Sequence, residues 1–256
     1  MINVEIKGKI IGQGRTKICV PITGKTKEDI LFQADCILSS EQVENIDIVE
    51  FRGDYFEGLQ DTDALKDILE ILKDKFVNII LLFTIRSEAE GGEHLNFTTP
   101  AIQDINAFVI ENELADMVDV ELFSGDEICI KLVSIAKDHG VHVIMSNHDF
   151  KTTPSVEEIV SRLTKMQSLG ASIAKIAVMP ENTVQVADLL KATSIMKELH
   201  HDTPVVSISM GQLGAISRVT GELFGSSITF ATLEHSSAPG QLPVSKASQI
   251  MELLRV

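Results

Sequence analysis

The sequence predicts an α/β fold, a (β/α)8 TIM barrel with an N-terminal β-hairpin that caps the bottom of the barrel. Apolar strand-like segments alternate with segments of helical period along the whole chain of 256 residues. The strand candidates number eight and are mostly apolar throughout, which is typical of a parallel sheet covered by helices. No linker or low-complexity segment interrupts this pattern, so residues 1–256 are predicted to form a single domain.

Each predicted strand is followed by enough residues for one helix. The strands are placed at Lys17–Ile22, Ile46–Phe51, Asn78–Thr84, Met117–Glu121, Val141–Ser146, Ser172–Met179, Pro204–Ser209 and Ser227–Ala231. Asn3–Ile6 and Lys9–Ile11, on either side of Gly8, form the predicted hairpin. An open doubly wound sheet is the alternative, but eight repeats favour a closed barrel.

The intervening segments carry helix signals. Ser124 and Glu127 have the spacing of a capping box, and Pro154 suits the first position of the helix that follows it. Apolar residues then recur every three or four positions, as in Leu65, Ile68, Leu69 and Leu72. These segments are therefore expected to lie on the sheet as amphipathic helices.

Composition excludes several classes of partner. The formal net charge of −15 and the isoelectric point near 4.8 argue against nucleic acid and against anionic membrane surfaces. Hydrophobic residues make up 44% of the chain, yet no run approaches the roughly 18 apolar residues of a membrane span. The N-terminus lacks the apolar core of a signal peptide, and Cys19, Cys36 and Cys129 form no CxxC pair. We expect a cytoplasmic protein with reduced cysteines.

Lys175 is the first candidate for chemistry, because it lies within an otherwise apolar strand. Its stem could simply pack while the ammonium reaches the strand end. Alternatively, a lysine in low dielectric is an amine nucleophile that can form a Schiff base with a ketone. A second apolar strand runs into Ser146–Asp149, which includes His148. The two strands together predict imine chemistry with a histidine proton shuttle.

Further polar residues follow the other predicted strands, at the end where barrel enzymes carry their active sites. They are Glu50, Arg52, Asp54, Arg86, Glu90, Asp119, Glu121, Arg218 and Gln241. Arg52 with Glu50 and Arg86 with Glu90 could be ordinary ion pairs at the rim. However, three of only six arginines fall at this end, and such convergence favours a binding site. No HxH or HExxH motif occurs, so no metal is predicted.

Seven segments carry a family resemblance. They are EFRGD (50–54), FTIRSEAEGG (83–92), VDVELF (118–123), VIMSNHDF (143–150), KIAVMP (175–180), SMG with ISR (209–211 and 216–218), and SAPGQ (237–241). In this order they resemble the type I 3-dehydroquinate dehydratase family. The resemblance implies a homodimeric barrel of the shikimate pathway of aromatic amino acid biosynthesis. It also implies dehydration of 3-dehydroquinate to 3-dehydroshikimate without a metal or organic cofactor.

The resemblance also implies roles for individual residues. Lys175 corresponds to the imine-forming lysine, His148 to the general acid and base, and Glu90 to the carboxylate that pairs with this histidine. Arg218 corresponds to the main clamp on the substrate carboxylate. The positions that hold the substrate hydroxyls, its carboxylate or the closing loop are matched by Glu50, Arg52, Arg86, Ser237 and Gln241. The segment His235–Gln241 is expected to close over bound ligand.

Two other functions stay open at this point. A class I aldolase-like lyase would use the same lysine on another keto acid or sugar. A non-catalytic descendant would bind the ligand only, but the presence of Lys175, His148, Glu90 and Arg218 together argues against it.

Overall fold

The computed structural model describes residues 3–93, 98–233 and 240–255, and its strands form the predicted barrel. Eight parallel strands follow one another in chain order around the barrel. They are β3 (Lys17–Ile22), β4 (Ile48–Arg52), β5 (Ile80–Thr84), β6 (Met117–Glu121), β7 (His142–Asp149), β8 (Ile173–Val178), β9 (Val205–Ser209) and β10 (Ile228–Thr232). All eight predicted strands are confirmed, with ends that differ by up to a few residues.

The sheet closes between its first and last strands. On one side β10 pairs with β3 in parallel, with Phe230 opposite Cys19. On the other side the Ser227 amide donates to the Val205 carbonyl at 2.8 Å, and the Ser207 amide donates to the Ser226 hydroxyl at 3.0 Å. A short strand, β11 (Leu242–Pro243), adds to the upper end of β10.

Helices cover the outside of the barrel. They are α1 (Lys27–Ser39), α2 (Thr62–Lys75), α3 (Thr99–Glu111), α4 (Asp126–Asp138), α5 (Val156–Ser168), α6 (Thr183–Leu199), α7 (Gly221–Phe224) and α8 (Val244–Leu254). Between β9 and β10 the chain forms a 3-10 segment, Leu213–Arg218, followed by the single turn of α7. Within the described ranges, no helix is long and apolar enough to cross a membrane.

Two predicted helix starts are wrong. Ser124 does not open a capping box, since α4 begins after a glycine and the Ser124 hydroxyl accepts a hydrogen bond from the Gln103 amide at 2.9 Å. Pro154 lies outside α5, whose cap is Ser155, with its hydroxyl accepting from the Glu158 amide. The apolar periodicity locates these helices along the chain. The residue that caps each helix depends on which serine hydroxyl is free to accept a backbone amide, and this is decided by tertiary contacts.

Alternation along the strands separates two environments. On β8, Ala174 and Ile176 pack outward against helices, whereas Ile173 and Lys175 point into the barrel. The lower interior layer is apolar and includes Ile173 with its neighbour on β7, Ile144. One step higher, Lys175 lies opposite Ser146, and the layer becomes polar. On β8 the charged side chain therefore enters the interior near the carboxyl-terminal end of the strand.

The N-terminal hairpin, β1 (Val4–Ile6) and β2 (Lys9–Ile11), caps the bottom as predicted. Its side chains Ile6 and Ile11 belong to the same apolar cluster as the lower interior layer. Lys7 at its turn donates to the carbonyls of Phe76 and Ile79 at 2.9 and 3.0 Å. The hairpin thus extends the barrel core downwards rather than lying free beside it.

We expect the Ile11→Ala substitution to lower the free energy of unfolding by about 2–5 kcal/mol, because it leaves a cavity beneath the lower interior layer. Ile11 is 0% exposed, whereas Ile10 beside it is 39% exposed. Ile10→Ala is therefore the matched control and should change stability by less than about 0.5 kcal/mol. Urea unfolding of both variants measures the difference, and equal losses would contradict the role of the hairpin in the core.

Candidate active site

One cavity at the carboxyl-terminal end of the strands collects the candidate residues. Among the described residues, its lining includes all of those to which the family resemblance assigns a role, namely Glu50, Arg52, Arg86, Glu90, His148, Lys175, Arg218 and Gln241. Phe150, Met210 and Phe230 add apolar surface. Ser237 and most of the segment 235–241 lie outside the described residues. Residues from strands far apart in sequence thus share one small volume.

Lys175 lies deep in this cavity on β8. Its side chain is only 4% exposed, and Nζ lies 4.6 Å from the centre of the Phe230 ring. Nζ also donates a hydrogen bond to Oδ2 of Asp119 at 3.3 Å. The terminal amino group therefore does not reach the solvent at the strand end but stays inside, between an aromatic face and a carboxylate.

Asp119 is the functional neighbour whose role sequence reasoning missed. It is fully buried on β6 and receives hydrogen bonds from Arg86 at 2.8 Å and from the Ser146 hydroxyl at 2.5 Å. Burial alone would raise the pKa of Asp119, but the charges of Arg86 and Lys175 outweigh it and lower the pKa to about 2. A charged residue within an apolar strand, the signal that singled out Lys175, was present at Asp119 as well.

Glu90 and His148 form a close pair. Oε2 of Glu90 lies 2.8 Å from Nδ1 of His148 and accepts the backbone amide of His148 at 2.9 Å. Glu90 belongs to a 3-10 turn after β5, whereas His148 is on β7. The carboxylate fixes both the backbone and the ring of the histidine, so the imidazole has one orientation towards the cavity.

The protein environment shifts both pKa values of the pair. Burial, reinforced by the Glu121 charge, raises the pKa of Glu90 to about 7, against the opposing charge of Arg86. Burial also lowers the pKa of His148 well below its usual value near 6.5, with Arg86 and Lys175 acting in the same direction. The imidazole is therefore neutral at neutral pH, and the two groups titrate as one unit.

Two glycines let the Glu90 turn fold back over the strand end. Gly91 has a φ of 84°, in the left-handed region that side chains disfavour. A Cβ on Gly92 would lie 1.9 Å from the carbonyl oxygen of Arg86. The turn can approach β5 this closely only without side chains, and this approach brings Glu90 to His148.

Arg86 is surrounded by acceptors. In addition to Asp119, its guanidinium donates to Oε1 of Glu121 at 3.0 Å and to the Ser146 hydroxyl at 2.9 Å, and it lies 3.7 Å from Glu90. The pKa of Arg86 is raised despite burial, because Asp119 and Glu121 stabilise its charge. The predicted Arg86–Glu90 contact is thus one part of a buried network rather than an isolated pair at the rim.

Arg52 and Glu50 do not form the ion pair that their spacing allowed. Arg52 instead makes a two-point contact with Asp54, at 2.7 and 2.6 Å, and its guanidinium lies 4.9 Å from the centre of the Tyr55 ring. Glu50 accepts from the Thr84 hydroxyl at 2.9 Å. The 3-10 turn Gly53–Tyr55 places Asp54 beside Arg52, which leaves Glu50 pointing into the cavity.

Arg218 lines the cavity from the segment between β9 and β10. It ends the 3-10 segment after β9 and is 2% exposed. Burial lowers the pKa of Arg218 to about 10, in contrast to Arg52 and Arg86, whose pKa values are raised by neighbouring carboxylates. An anionic ligand in the cavity would offset this burial.

The assembled groups can perform covalent carbonyl chemistry. A buried amine, a neutral imidazole held by a carboxylate and a guanidinium face one cavity, which suits imine formation, proton transfer and carboxylate binding. No group of three or more His, Cys, Asp or Glu residues within 3–93, 98–233 and 240–255 is arranged to hold a metal ion.

Comparison of the sequence with known proteins identifies one family. The family model for type I 3-dehydroquinase matches residues 18–256. The 3-dehydroquinate dehydratase of Clostridioides difficile (strain 630) is 44% identical over 251 residues, which are 98% of this chain and 96% of that protein. The enzyme of the same name from Bacillus subtilis (strain 168) is 43% identical over 251 residues, with the same coverage of each chain.

Solved structures agree with the sequence comparisons. A type I 3-dehydroquinate dehydratase from Clostridium difficile, crystallised with covalently modified comenic acid, superposes with a TM-score of 0.94 at 43% identity, covering 99% of this chain and 98% of that one. The 3-dehydroquinate dehydratase of Enterococcus faecalis gives a TM-score of 0.90 at 37% identity, covering 99% and 100%. These matches extend over the strands, the cavity and the turn that carries Glu90, and the chain belongs to the type I 3-dehydroquinase family.

Proposed function

We propose that the protein is a type I 3-dehydroquinate dehydratase, a hydro-lyase that converts 3-dehydroquinate to 3-dehydroshikimate in aromatic amino acid biosynthesis. The observation that carries this proposal is the position of Lys175, buried in a cavity that also contains the Glu90–His148 pair. The substrate carries a ketone and a carboxylate. The cavity offers the Lys175 amine to react with the ketone and the Arg218 guanidinium to bind the carboxylate.

Lys175 provides the covalent step. Its amine adds to the C3 carbonyl, and loss of water gives an iminium that withdraws electrons from C2. Removal of a C2 proton then becomes possible, because the electron pair of the C–H bond is delocalised into the iminium. After elimination, water hydrolyses the product iminium and returns the free amine. The covalently modified ligand of the Clostridium difficile relative is consistent with a nucleophile in this family's cavity.

His148 transfers the proton. Its neutral imidazole accepts the C2 proton, and the resulting imidazolium gives a proton to the C1 hydroxyl, which departs as water. Glu90, 2.8 Å from Nδ1, orients the ring and stabilises the imidazolium while it exists. The proton count balances, because the histidine ends each cycle neutral.

Substrate binding is assigned to the remaining candidates. Arg218 binds the carboxylate at C1, where a planar two-point contact fixes the orientation of the ring. Glu50, Arg52 and Arg86 hold the hydroxyls or the carboxylate from the β4 and β5 side. Gln241, which lines the cavity, and Ser237 bind the ligand from the closing segment.

The proposed assembly and location rest on the motif resemblance, the thiols and the composition. The motif resemblance to a family of homodimers supports a homodimer, which sedimentation equilibrium would measure. The free thiols of Cys19, Cys36 and Cys129 support the reducing cytoplasm as the location. The acidic composition supports a small-molecule substrate rather than a nucleic acid or membrane partner.

Borohydride added during turnover should trap the iminium as a secondary amine at Lys175 and abolish activity. Lys175→Met should prevent the adduct and retain the fold, since methionine is a stem of similar length. His148→Ala should still form the adduct while losing dehydration, because the imine requires the amine and elimination requires the base. Peptide mass mapping locates the adduct; modification of another lysine, or full activity of Lys175→Met, would overturn the mechanism.

The pH dependence should report the Glu90–His148 pair. Because the pair takes up a proton with a pKa of about 7 at Glu90, kcat/KM should fall as the pH drops below about 7. In Glu90→Gln the histidine titrates alone, and burial holds its pKa well below 6.5. The acid limb should therefore move to lower pH, with a lower plateau because the ring loses its orienting carboxylate. An acid limb at the same pH in both proteins would exclude the pair as its source.

Arg218→Ala should weaken binding of the substrate by about 1.5–3 kcal/mol, the scale of a hydrogen bond to a charged group. Arg218→Lys should recover only part of this loss, since the two-point contact needs the planar guanidinium. Calorimetric titration with the product, 3-dehydroshikimate, measures the effect, and an analogue without the carboxylate is the control. Full recovery by lysine would mean that Arg218 acts as a point charge only.

A further inference from the structure

Asn147 and Arg162 lie behind the Glu90–His148 pair, on the outer side of β7. Asn147 is buried between Ser146 and His148, and its side chain points away from the barrel interior towards α5. Its Nδ2 donates to Oε1 of Glu90 at 3.1 Å, and its Oδ1 accepts from Arg162 at 2.9 Å. A continuous hydrogen-bonded path therefore runs from α5 through the strand to Glu90.

Arg162 determines which way the Asn147 amide faces. A guanidinium carries only hydrogen-bond donors, so it must contact the amide oxygen of Asn147. The amide nitrogen then has to face Glu90. Arg162 is itself held in place, because its Nε donates to Glu158 at 2.7 Å and its guanidinium lies 5.5 Å from the centre of the Phe123 ring.

The orientation of this amide constrains the protonation of the pair. With an N–H directed at Oε1 of Glu90, that oxygen is an acceptor, and a proton cannot occupy the same position. Oε2 already accepts the His148 backbone amide. An ionised Glu90 can only accept from the ring, so Nδ1 of His148 carries the hydrogen and Nε2 is left as the base.

We propose that Arg162 and Asn147 are positioning residues that hold Glu90 ionised and His148 in its Nδ1–H tautomer. The proposal rests on the dehydratase function, since it concerns the same histidine. Neither residue lines the cavity beside Lys175, so both act through Glu90 rather than on the substrate.

The direction of the effect follows from the groups that face Glu90. Glu121 and Asp119 on β6 favour its protonated form, as burial does, whereas Arg86 and the Asn147 hydrogen bond favour the carboxylate. His148 at 2.8 Å completes the surroundings. Loss of the Asn147 donor therefore removes one of the two groups that stabilise the carboxylate and makes Glu90 easier to protonate.

The test compares Asn147→Ala and Arg162→Met with the unmodified protein over a range of pH. The acid limb of kcat/KM should move upwards by about one pH unit, the scale of one hydrogen bond to a charged group. Activity at pH 7 should fall about fivefold and recover at about pH 9, where Glu90 is ionised in every variant. An unchanged acid limb, or an equal loss of activity at every pH, would overturn the proposal.

A double variant and a matched control test whether Arg162 acts through Asn147. Arg162 acts through Asn147, so the double variant should shift the limb no further than Asn147→Ala alone. Lys165→Met removes another cation from α5, one that pairs with Asp126 on the exposed surface, and should leave the limb in place. Arg162→Lys should recover part of the shift, since it keeps a donor. A double variant in which the two shifts add would contradict action through Asn147.

A readout without substrate separates this proposal from the function itself. Nitrogen NMR of the free protein labelled in its histidines should show the Nδ1–H tautomer at His148, assigned by its disappearance in His148→Gln. Asn147→Ala and Arg162→Met should reduce its population. The same tautomer population in all three proteins would refute the positioning role, whatever reaction the enzyme catalyses. Failure of the unmodified protein to dehydrate 3-dehydroquinate would instead refute the function.

Discussion

Compensation of buried charge by Arg86 is the constraint on which the site depends. A guanidinium that is 4% exposed would be costly to bury alone, and so would the carboxylates around it. Arg86 contacts Asp119 and Glu121 at 2.8 and 3.0 Å and lies 3.7 Å from Glu90, so its charge offsets the burial of these carboxylates and theirs offset the burial of Arg86. Removal of Arg86 would leave these carboxylates without their shared counter-charge, and Asp119, the carboxylate beside Lys175, would lose its closest cation.

Sequence reasoning located the barrel and most of the residues that line the candidate site, because both depend on local signals. Apolar strands with polar ends can be recognised in one dimension, and this identified Lys175 and His148 before any contact was known. The pairings could not be obtained in this way. Arg52 selects Asp54 rather than Glu50 because a 3-10 turn follows β4, and Asp119 reaches Lys175 only through the register of β6, β7 and β8.

The layered interior explains how one barrel accommodates both stability and reactive groups. The hairpin and the lower layer are apolar and close-packed, whereas the polar layer begins one pleat higher, at Lys175 and Ser146. The charged side chains above the lower interior layer are held in fixed positions, so they need not reorient during the reaction as water dipoles would. Such preorganisation is what allows charges to stabilise a transition state. The lower interior layer therefore contributes to catalysis without contacting the substrate.

The pleat of β7 gives adjacent residues opposite surroundings. Ser146 and His148 face the interior, and Asn147 between them faces α5. A shift of register by one residue would move the histidine into the helical layer and place an amide in the cavity. Such an error in strand pairing would thus remove the proton shuttle together with the native packing of this strand. For β7, the register that the fold requires is therefore also the register that the reaction requires.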